Sequence, residues 1–221
     1  MDIHKPKPWH GLREFGKELG TIVLGVLIAL AGEQSVEWLH HQTEVREARE
    51  ALREEVALDM GWARQNQRRE ICDGRYLQRY LAWADGGPKP QDPTNAFLTL
   101  LSTNWDAVKS GPVAFMPVKE KLAFAKFYGY VADYNTMAER ERAAALQMAE
   151  NEGLKRLDLE DAKSVRKTVR SFELTESVLI GMAVGIQRTG VEAGVQAAPT
   201  PADIKVKLDA YCRDAGTSAG S

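Results

Sequence analysis

Histidine is the side chain that most often acts as a general base or zinc ligand near neutral pH, and this chain carries it only near its start. The four histidines are His4, His10, His40 and His41. Glu37 and His40 match one Glu-x-x-His unit of a di-iron helical bundle, but such a site needs two units and two further glutamates. No second unit occurs in the sequence. We therefore favour an interfacial polar collar over a metal site at Glu37, His40 and His41, and we predict no catalytic residue, metal or cofactor.

Two pairs of adjacent acids could supply the two carboxylates that glycoside hydrolysis requires. The first pair, Glu54-Glu55, falls among the charged residues of a helix face that we predict to be solvated. The second pair, Glu160-Asp161, stands where acids in a first turn favour the start of a helix. We therefore predict that neither pair is catalytic and that the protein is not an enzyme.

Two glycine motifs also have structural interpretations. No Lys-Ser or Lys-Thr pair follows the Ser-Gly-Pro segment 110–112, so we interpret the segment as a chain break and not as a phosphate-binding loop. Gly181 and Gly185 form a small-xxx-small motif, but the uncharged run around them, 177–187, is too short to span a membrane. We expect this motif to let another helix approach closely.

Aromatic residues in the middle of the chain allow two interpretations. Trp105, Phe124 and Tyr128 could line a ligand pocket. At helical spacing, however, an aromatic stripe more often belongs to a protein core. We favour the core and keep the pocket as the alternative.

The composition is that of an ordinary globular domain. The chain has 221 residues, of which 44% are hydrophobic and 27% charged, and this balance is not that of a disordered chain. The net charge of −2 and the lack of a basic stripe argue against nucleic acid as a partner.

An apolar run near the N-terminus predicts a membrane anchor. Residues 19–32, LGTIVLGVLIALAG, contain no charge, and the helical stretch around them, 15–38, reaches roughly 36 Å. Trp9, Phe15 and Trp38 bracket the run as interfacial aromatic residues do. A cleaved signal peptide is an alternative, because Ala29-Leu30-Ala31 is an A-x-A pattern, and a buried core helix is a third interpretation.

Basic residues set the expected orientation of this anchor. Four of them precede the run, namely Lys5, Lys7, Arg13 and Lys17. Only Arg46 lies in the fifteen residues that follow it. The positive-inside rule therefore predicts a short cytoplasmic N-terminus (1–17), a transmembrane anchor (18–38), a helical extracytoplasmic domain (39–213) and a flexible tail (214–221), held in the inner membrane.

A stripe of small residues within the anchor predicts self-association. Thr21, Gly25, Ala29 and Gly32 are spaced by four, four and three residues and so share one helix face. In lipid, such faces let two helix backbones pack closely. We expect the bilayer as one partner and a homo-oligomer or a larger membrane complex as the assembly. The apolar face 45–60 could extend the contact as a coiled coil, or it could form the core of the domain.

Hydrophobic periodicity predicts an all-α fold in which the transmembrane helix continues into an antiparallel helical bundle. Apolar residues recur every three or four positions from Trp38 to Ala63, the pattern blurs at 65–70, and it then resumes until the Gly-Gly-Pro break at 86–88. We predict further helices over 94–108, from near Pro117 to 153, over about 159–193 and over 202–212.

The two cysteines, Cys72 and Cys212, predict one disulfide. Such a bond persists in an oxidising envelope and not in the cytoplasm, so that this prediction depends on the orientation. We expect the helix from Pro117 to return towards the membrane and the helix from 159 to run outwards again. This route would place the terminal helix at the distal end, near Cys72.

Two segments carry a resemblance to a known family. The first is GTIVLGVLIAL at 20–30, which continues into EQSVEW at 33–38; the second is WDAVKSG at 105–111, followed by Phe124, Tyr128 and the Tyr-Asn pair 134–135. Both resemble a family of uncharacterised bacterial membrane proteins with one N-terminal span and a helical domain. The likeness covers the first 60 residues and the stretch 100–137, and the chain departs from the family at residues 31, 32 and 36, where polar residues are common.

This resemblance implies the fold and the membrane topology and brings no activity. From the lack of catalytic groups and the two association faces we expect a membrane-anchored scaffold or accessory subunit of an envelope complex. The alternative is an extracytoplasmic sensor or ligand-binding module that uses the pocket beside Trp105.

Overall fold

The computed structural model describes residues 11–90, 99–150, 154 and 156–217. These residues form five α-helices and a short 3-10 helix, and none of them lies in a β-strand. The elements are α1 (Leu12–Ala84), α2 (Thr103–Val108), the 3-10 helix (Pro112–Phe115), α3 (Val118–Glu150), α4 (Leu159–Glu192) and α5 (Ala202–Thr217). The predicted all-α class is therefore confirmed.

Helix α1 contributes to two compact units, Met1–Glu47 and Ala48–Ser221. In the first unit its large apolar side chains are exposed, and Ile22 and Ile28 are each 64% accessible. An 18-residue window here has a mean hydropathy of 1.7, with none of it buried, so the helix is long and apolar enough to cross a membrane.

The second unit is the helical bundle, and within it α3 runs parallel to α1. Arg49, early in this part of α1, bonds to Glu120 at the start of α3, and Arg69, further along α1, bonds to Glu141 further along α3. The sequence predicted the opposite direction for α3, and that prediction is wrong. Helix α1 ends at Ala84, and α3 begins beside Arg49, which lies 35 residues earlier on α1. The chain therefore runs back along α1 between these two helices, and not within α3 as we expected.

Helix α4 runs antiparallel to α1. Arg166, near the start of α4, bonds to Asp85 just beyond the end of α1, and Gln187, near the end of α4, donates to the carbonyl of Met60. Helix α5 then follows α1 in the parallel direction. Consecutive bonds join Gln65 to Thr200 and Arg68 to Asp209.

Several boundaries follow from local chemistry. Asp158 caps α4 by accepting from the backbone N–H of Asp161 at 2.8 Å, while Asp161 accepts in return, which is a capping box. The predicted start near residue 159 is therefore confirmed. Helix α5 extends to Thr217, so the predicted tail is helical over 214–217, and residues 218–221 lie outside the described part.

The predicted helix over 94–108 is shorter in the structure. Residues 91–98, including the expected cap Thr94, lie outside the described residues, and α2 begins only at Thr103. Before it, side chains take the backbone bonds that a helix would have used. Asn135 accepts from the Leu100 N–H and donates to the Leu100 carbonyl, at 3.1 and 2.9 Å, and Asp59 accepts from the Leu101 N–H at 2.8 Å.

Close helix approach occurs at glycine, as the sequence predicted for Gly185. A Cβ there would lie 2.6 Å from Cε1 of Tyr130, so a larger residue would push against the Tyr130 ring where α3 and α4 meet. Gly181 faces open space instead and makes no such contact.

The apolar face of α1 from Ala48 onwards is buried in the bundle core. Leu52 and Val56 are fully buried, and Met60 is 2% exposed. This part of the face therefore packs inside the bundle and is not free to form the coiled coil that the sequence left open.

Candidate functional site: a buried acidic cluster around Arg69

Five charged side chains from three helices are buried together in the bundle. Helix α1 supplies Arg69, Glu70 and Asp73, helix α3 supplies Glu141, and helix α4 supplies Glu176. Each of the five is at most 6% exposed. We call this set the Arg69 cluster. Burial of one charged side chain is costly unless the charge is paired, so five together need a physical explanation.

Arg69 holds two of these carboxylates. Its Nε lies 3.2 Å from Oδ2 of Asp73, and its Nη2 donates to Oε1 and Oε2 of Glu141 at 3.2 and 3.3 Å. Asp73 lies one helical turn from Arg69 on α1, whereas Glu141 comes from α3. The guanidinium therefore links α1 to α3 and fixes both carboxylates in place.

Two tyrosines donate to the α1 carboxylates. The Tyr134 hydroxyl donates to Oε1 of Glu70 at 3.0 Å, and the Tyr211 hydroxyl from α5 donates to Oδ1 of Asp73. Glu70 Oε2 has no hydrogen-bond partner. The hydroxyls satisfy part of the acceptor capacity of the cluster and orient its members.

Glu176 is the least satisfied member. It is 6% exposed, and its buried Oε1 has no hydrogen-bond partner. One oxygen of Glu176, one of Asp73 and one of Glu141 lie within 4.8 Å of one another. In the described part of the chain, these three carboxylates are the one group of His, Cys, Asp and Glu side chains placed to hold a metal ion.

Burial and like charge shift the acidity of this cluster. Burial raises the pKa of Glu176 to about 9, and the neighbouring carboxylates of Asp73, Glu141 and Glu70 add to the effect. Burial also raises the pKa of Glu141 and of Glu70 to about 7, while the positive charge of Arg69 opposes the shift at both. With all four acids ionised, the cluster would hold four negative charges against one positive charge. It therefore favours the uptake of positive charge, as protons or as a cation.

A second buried acidic pair serves the loop before α2. Glu55 accepts from the Tyr128 hydroxyl at 2.8 Å and from the backbone N–H of Asn104 at 2.9 Å. Asp59 accepts from the backbone N–H of Leu101, and burial raises its pKa to about 8, assisted by the charge of Glu55. We call Glu55 and Asp59 the loop-anchoring pair.

The loop-anchoring pair corrects one prediction. Glu54 is exposed as expected, but Glu55 is only 3% exposed and does not lie on a solvated face. Two adjacent helical residues point about 100° apart, so that one of them can face the core. The other acid pair, Glu160-Asp161, lies in the first turn of α4 as predicted.

Two of the aromatic residues proposed as a pocket, Trp105 and Tyr128, pack against each other. The rings of Trp105 and Tyr128 are stacked, with centroids 5.0 Å apart and planes 12° apart. Phe124 is fully buried and Tyr128 is 3% exposed. One face of the Trp105 ring is therefore covered by Tyr128, and this geometry fits the core interpretation.

The two cysteines are joined at the edge of the Arg69 cluster. Cys72 and Cys212 form a disulfide whose Cα atoms are 5.3 Å apart. Beside the bond, the rings of Tyr76 and Tyr211 stack with centroids 5.0 Å apart. The bond fastens α5 to α1 next to Asp73, although the parallel course of α5 along α1, and not the route that we expected, brings the cysteines together.

The small-residue stripe of the anchor makes few contacts within the chain. Thr21 donates to the carbonyl of Lys17 at 2.9 Å, and a Cβ at Gly25 or Gly32 would meet nothing within 4 Å. Ala29 is exposed like these three residues. The stripe stays a prediction about a second chain.

The histidines near the anchor lie beside acids of the same helix. Nε2 of His40 is 3.1 Å from Glu44, and Nε2 of His41 is 3.8 Å from Glu37. Nδ1 of His41 is also 3.2 Å from Glu44. These are contacts across one helical turn on a partly exposed surface, and the interfacial polar collar stays a prediction.

Sequence reasoning missed every member of the Arg69 cluster. The available signal was the blurred pattern at 65–70, which follows seven apolar residues and His41 in helical register. In the structure, Gln65, Asn66, Arg69 and Glu70 are all buried there, so the stripe does not end but changes from apolar to polar. Comparisons of the chain with protein-family models, characterised proteins and solved structures gave no match.

Proposed function

We propose that the chain is a non-catalytic, membrane-anchored scaffold or accessory subunit whose helical bundle lies outside the cytoplasm. The exposed apolar stretch of α1 carries this proposal. Side chains such as Ile22, Leu24 and Ile28 are 58–64% exposed in the chain alone, and a bilayer would cover them. In the bundle, described polar side chains such as Arg49 and Glu55 are engaged in contacts that hold helices and loops together.

The orientation rests on the basic residues before the apolar run and is supported by the disulfide. A bond such as Cys72–Cys212 is typical of an oxidising compartment. A reporter enzyme that is active only after export should be active when fused after Ser221. The same reporter fused after Lys17, before the apolar run, serves as the matched control and should be inactive. Activity only from the Lys17 fusion would contradict the proposal.

Self-association is the part of the proposal that concerns assembly. Gly25→Ile with Ala29→Ile should weaken dimerisation several-fold in a membrane-helix association assay, because the larger side chains hold the backbones apart. Val26→Ile, a change of similar kind on another helix face, is the control and should leave association unchanged. Equal association of both variants would remove the small-residue stripe from the interface. Mass spectrometry of proteins that co-purify in mild detergent then tests for a larger complex.

The alternative function, a sensor or ligand-binding module, is supported by a different site from the one that the sequence suggested. Tyr128 covers one face of the Trp105 ring, whereas the Arg69 cluster offers acceptors that no side chain satisfies. The same full-length protein, purified in detergent, can be screened for binding of small cations. Binding at this cluster would favour a module that responds to its surroundings.

A further inference from the structure

We propose that Asp73, Glu141 and Glu176 bind one hard divalent cation, such as Ca²⁺, Mg²⁺ or Mn²⁺, inside the bundle. The inference does not depend on the anchor, the orientation or the scaffold role. It concerns only the described residues of α1, α3 and α4, and it adds a site to a domain for which we expected no metal ligand.

The spacing of the three carboxylates suits such an ion. Their nearest oxygens lie within 4.8 Å of one another. Two oxygens on opposite sides of Ca²⁺ are separated by about 4.8 Å, and by about 4.2 Å around Mg²⁺, because the metal–oxygen distances are about 2.4 and 2.1 Å. All three ligands are carboxylates, which favours hard cations over zinc or copper, whose sites usually include histidine or cysteine.

The hydrogen bonding of the cluster leaves one ligand without a donor. Asp73 receives the Tyr211 hydroxyl and Glu141 receives the Arg69 guanidinium, so that both carboxylates are held in position. Glu176 is as buried as they are, at 6% exposed, yet its Oε1 has no donor. A buried carboxylate oxygen without a donor costs free energy, and a bound cation would remove that cost.

Charge balance also favours a divalent ion. The three ligands and Glu70 carry four negative charges when ionised, and Arg69 returns one positive charge. A divalent cation reduces the remaining excess from three negative charges to one, and a single proton, for instance on Glu70, removes that last charge. A monovalent cation would leave two charges uncompensated in a site that water reaches poorly.

The consequence of binding would be to fasten three helices at one point. Arg69 already links α1 to α3 through its bond to Glu141. Glu176 is the member of the cluster that comes from α4, and its Oε1 has no hydrogen bond to the other two helices. A cation shared by the three carboxylates would tie α4 to the other two helices. Arg69 and Tyr211 would then act as positioning residues that orient the ligands.

The test uses the full-length chain, purified in detergent and stripped of metal with a chelator. Equilibrium dialysis against Ca²⁺, Mg²⁺ and Mn²⁺ should find one ion per chain for at least one of the three. At a free cation concentration of about 100 times the Kd, the thermal midpoint should rise by about 5–10 °C. No binding of any of the three ions at concentrations up to about 10 mM, which is about ten times the Kd of the weakest protein calcium sites, would overturn the proposal.

Matched variants locate the ion. Glu176→Gln keeps the shape of the side chain but removes its charge, and it should abolish both the bound ion and the thermal shift. Glu139→Gln, on the exposed surface of α3, should retain both. Retention of the ion by Glu176→Gln would place it elsewhere and overturn the proposal.

The variant remains informative if the cluster is purely structural. Removal of a buried, unsatisfied carboxylate would then raise the thermal midpoint of Glu176→Gln in chelator, and neither protein would respond to cations. Should Glu176→Gln fail to fold, Tb³⁺ luminescence of the wild type decides the matter. Tyr134 and Tyr211 donate to carboxylates of the cluster and would sensitise an ion bound there. No tyrosine-excited Tb³⁺ emission, or emission that excess Ca²⁺ does not quench, would count against the site.

Discussion

Helix α1 contributes to two groups of buried carboxylates, and these groups differ in their donors. The loop-anchoring pair, Glu55 and Asp59, receives two backbone N–H groups and one tyrosine hydroxyl. The Arg69 cluster has twice as many acids, yet one guanidinium and two tyrosine hydroxyls are its principal donors. Both groups keep buried oxygens without a partner, Oδ2 of Asp59 in the pair and Oε2 of Glu70 and Oε1 of Glu176 in the cluster. The two groups therefore differ in the kind of donor they receive and in the convergence of three carboxylates, which only the cluster shows among the described residues.

The largest expected effect concerns the disulfide beside the Arg69 cluster. Replacement of Cys72 and Cys212 by serine opens a loop of 140 residues. In the chain-entropy model this loss should lower the free energy of unfolding by about 5 kcal/mol. The measurement is urea unfolding of the variant against the oxidised wild type. Because Tyr211 adjoins Cys212, the variant should also weaken the Tyr211–Asp73 bond, while the loop-anchoring pair should be unaffected.

A result within about 1 kcal/mol of the wild type would contradict this prediction, because it would mean that the bond adds little constraint to the unfolded chain. Wild-type protein treated with reductant is the second test of the same bond, and it should match the double variant.

Removal of the one guanidinium should have the next largest effect. Arg69→Met leaves Asp73 and Glu141 buried without their cation, and loss of one partner from a buried ion pair typically costs about 3–5 kcal/mol. The variant should therefore unfold at a clearly lower urea concentration in the presence of chelator. Arg68→Met removes the more exposed ion pair to Asp209 and should cost at most about 1 kcal/mol. Equal losses of unfolding free energy in the two variants would show that the buried ion pairs of Arg69 contribute no more to stability than the surface ion pair of Arg68.

The sequence predicted the helices that carry the two groups better than the contacts between those helices. Local signals were sufficient at the start of α4, where Asp158 and Asp161 cap the helix through residues three positions apart. The burial of the polar stretch of α1 could not be predicted from the sequence, because charged residues such as Arg69 and Glu70 are typical of a solvated helix face. Their burial depends on Glu141 and Tyr134, which α3 supplies only in the folded structure.

The direction of α3 was unreadable for a related reason. The sequence of residues 118–150 does not indicate that α3 begins beside Arg49, and this starting position determines its direction relative to α1. The disulfide could be predicted from a simple count, since the chain has two cysteines, even though the expected course of the helices was wrong.

The loop-anchoring pair should make stability depend on pH. Burial raises the pKa of Asp59 to about 8, above its value in the unfolded chain, so the folded state keeps a proton that the unfolded state has lost. The contribution of Asp59 is thus fully present below its ordinary pKa of 3.8 and is lost as the pH rises from there to about 8, at up to about 1.4 kcal/mol per pH unit. Asp59→Asn keeps an acceptor for the Leu101 N–H and should remove the Asp59 part of this dependence, while the part that comes from Glu70, Glu141 and Glu176 remains.

The measurement is urea unfolding of wild type and Asp59→Asn between pH 5 and about pH 8, the window set by the raised pKa. Glu54→Gln, on the exposed face of the same helix, is the control and should keep the wild-type profile. Parallel profiles for wild type and Asp59→Asn would mean that Asp59 is ionised throughout this pH range and would contradict the predicted pH dependence.

The smallest expected effect compares two tyrosine hydroxyls. Tyr134→Phe removes the hydroxyl donor of Glu70, whose other oxygen already lacks a partner. Tyr128→Phe removes one donor of Glu55, which keeps the Asn104 N–H. We expect a loss of about 1.5–3 kcal/mol for Tyr134→Phe and about 1 kcal/mol for Tyr128→Phe. Thermal unfolding of both variants checks this order. A larger loss for Tyr128→Phe would mean that Glu55, and not Glu70, depends more on its tyrosine donor.

The central claim is that the Arg69 cluster binds a divalent cation and that the loop-anchoring pair does not. Anomalous diffraction from crystals of the full-length protein grown with Mn²⁺ tests it most directly. The expected result is one anomalous peak at about 2.1–2.2 Å from oxygens of Asp73, Glu141 and Glu176, with none beside Glu55 and Asp59. A map with no peak among these three carboxylates, at a Mn²⁺ concentration that decorates surface acids, would contradict it.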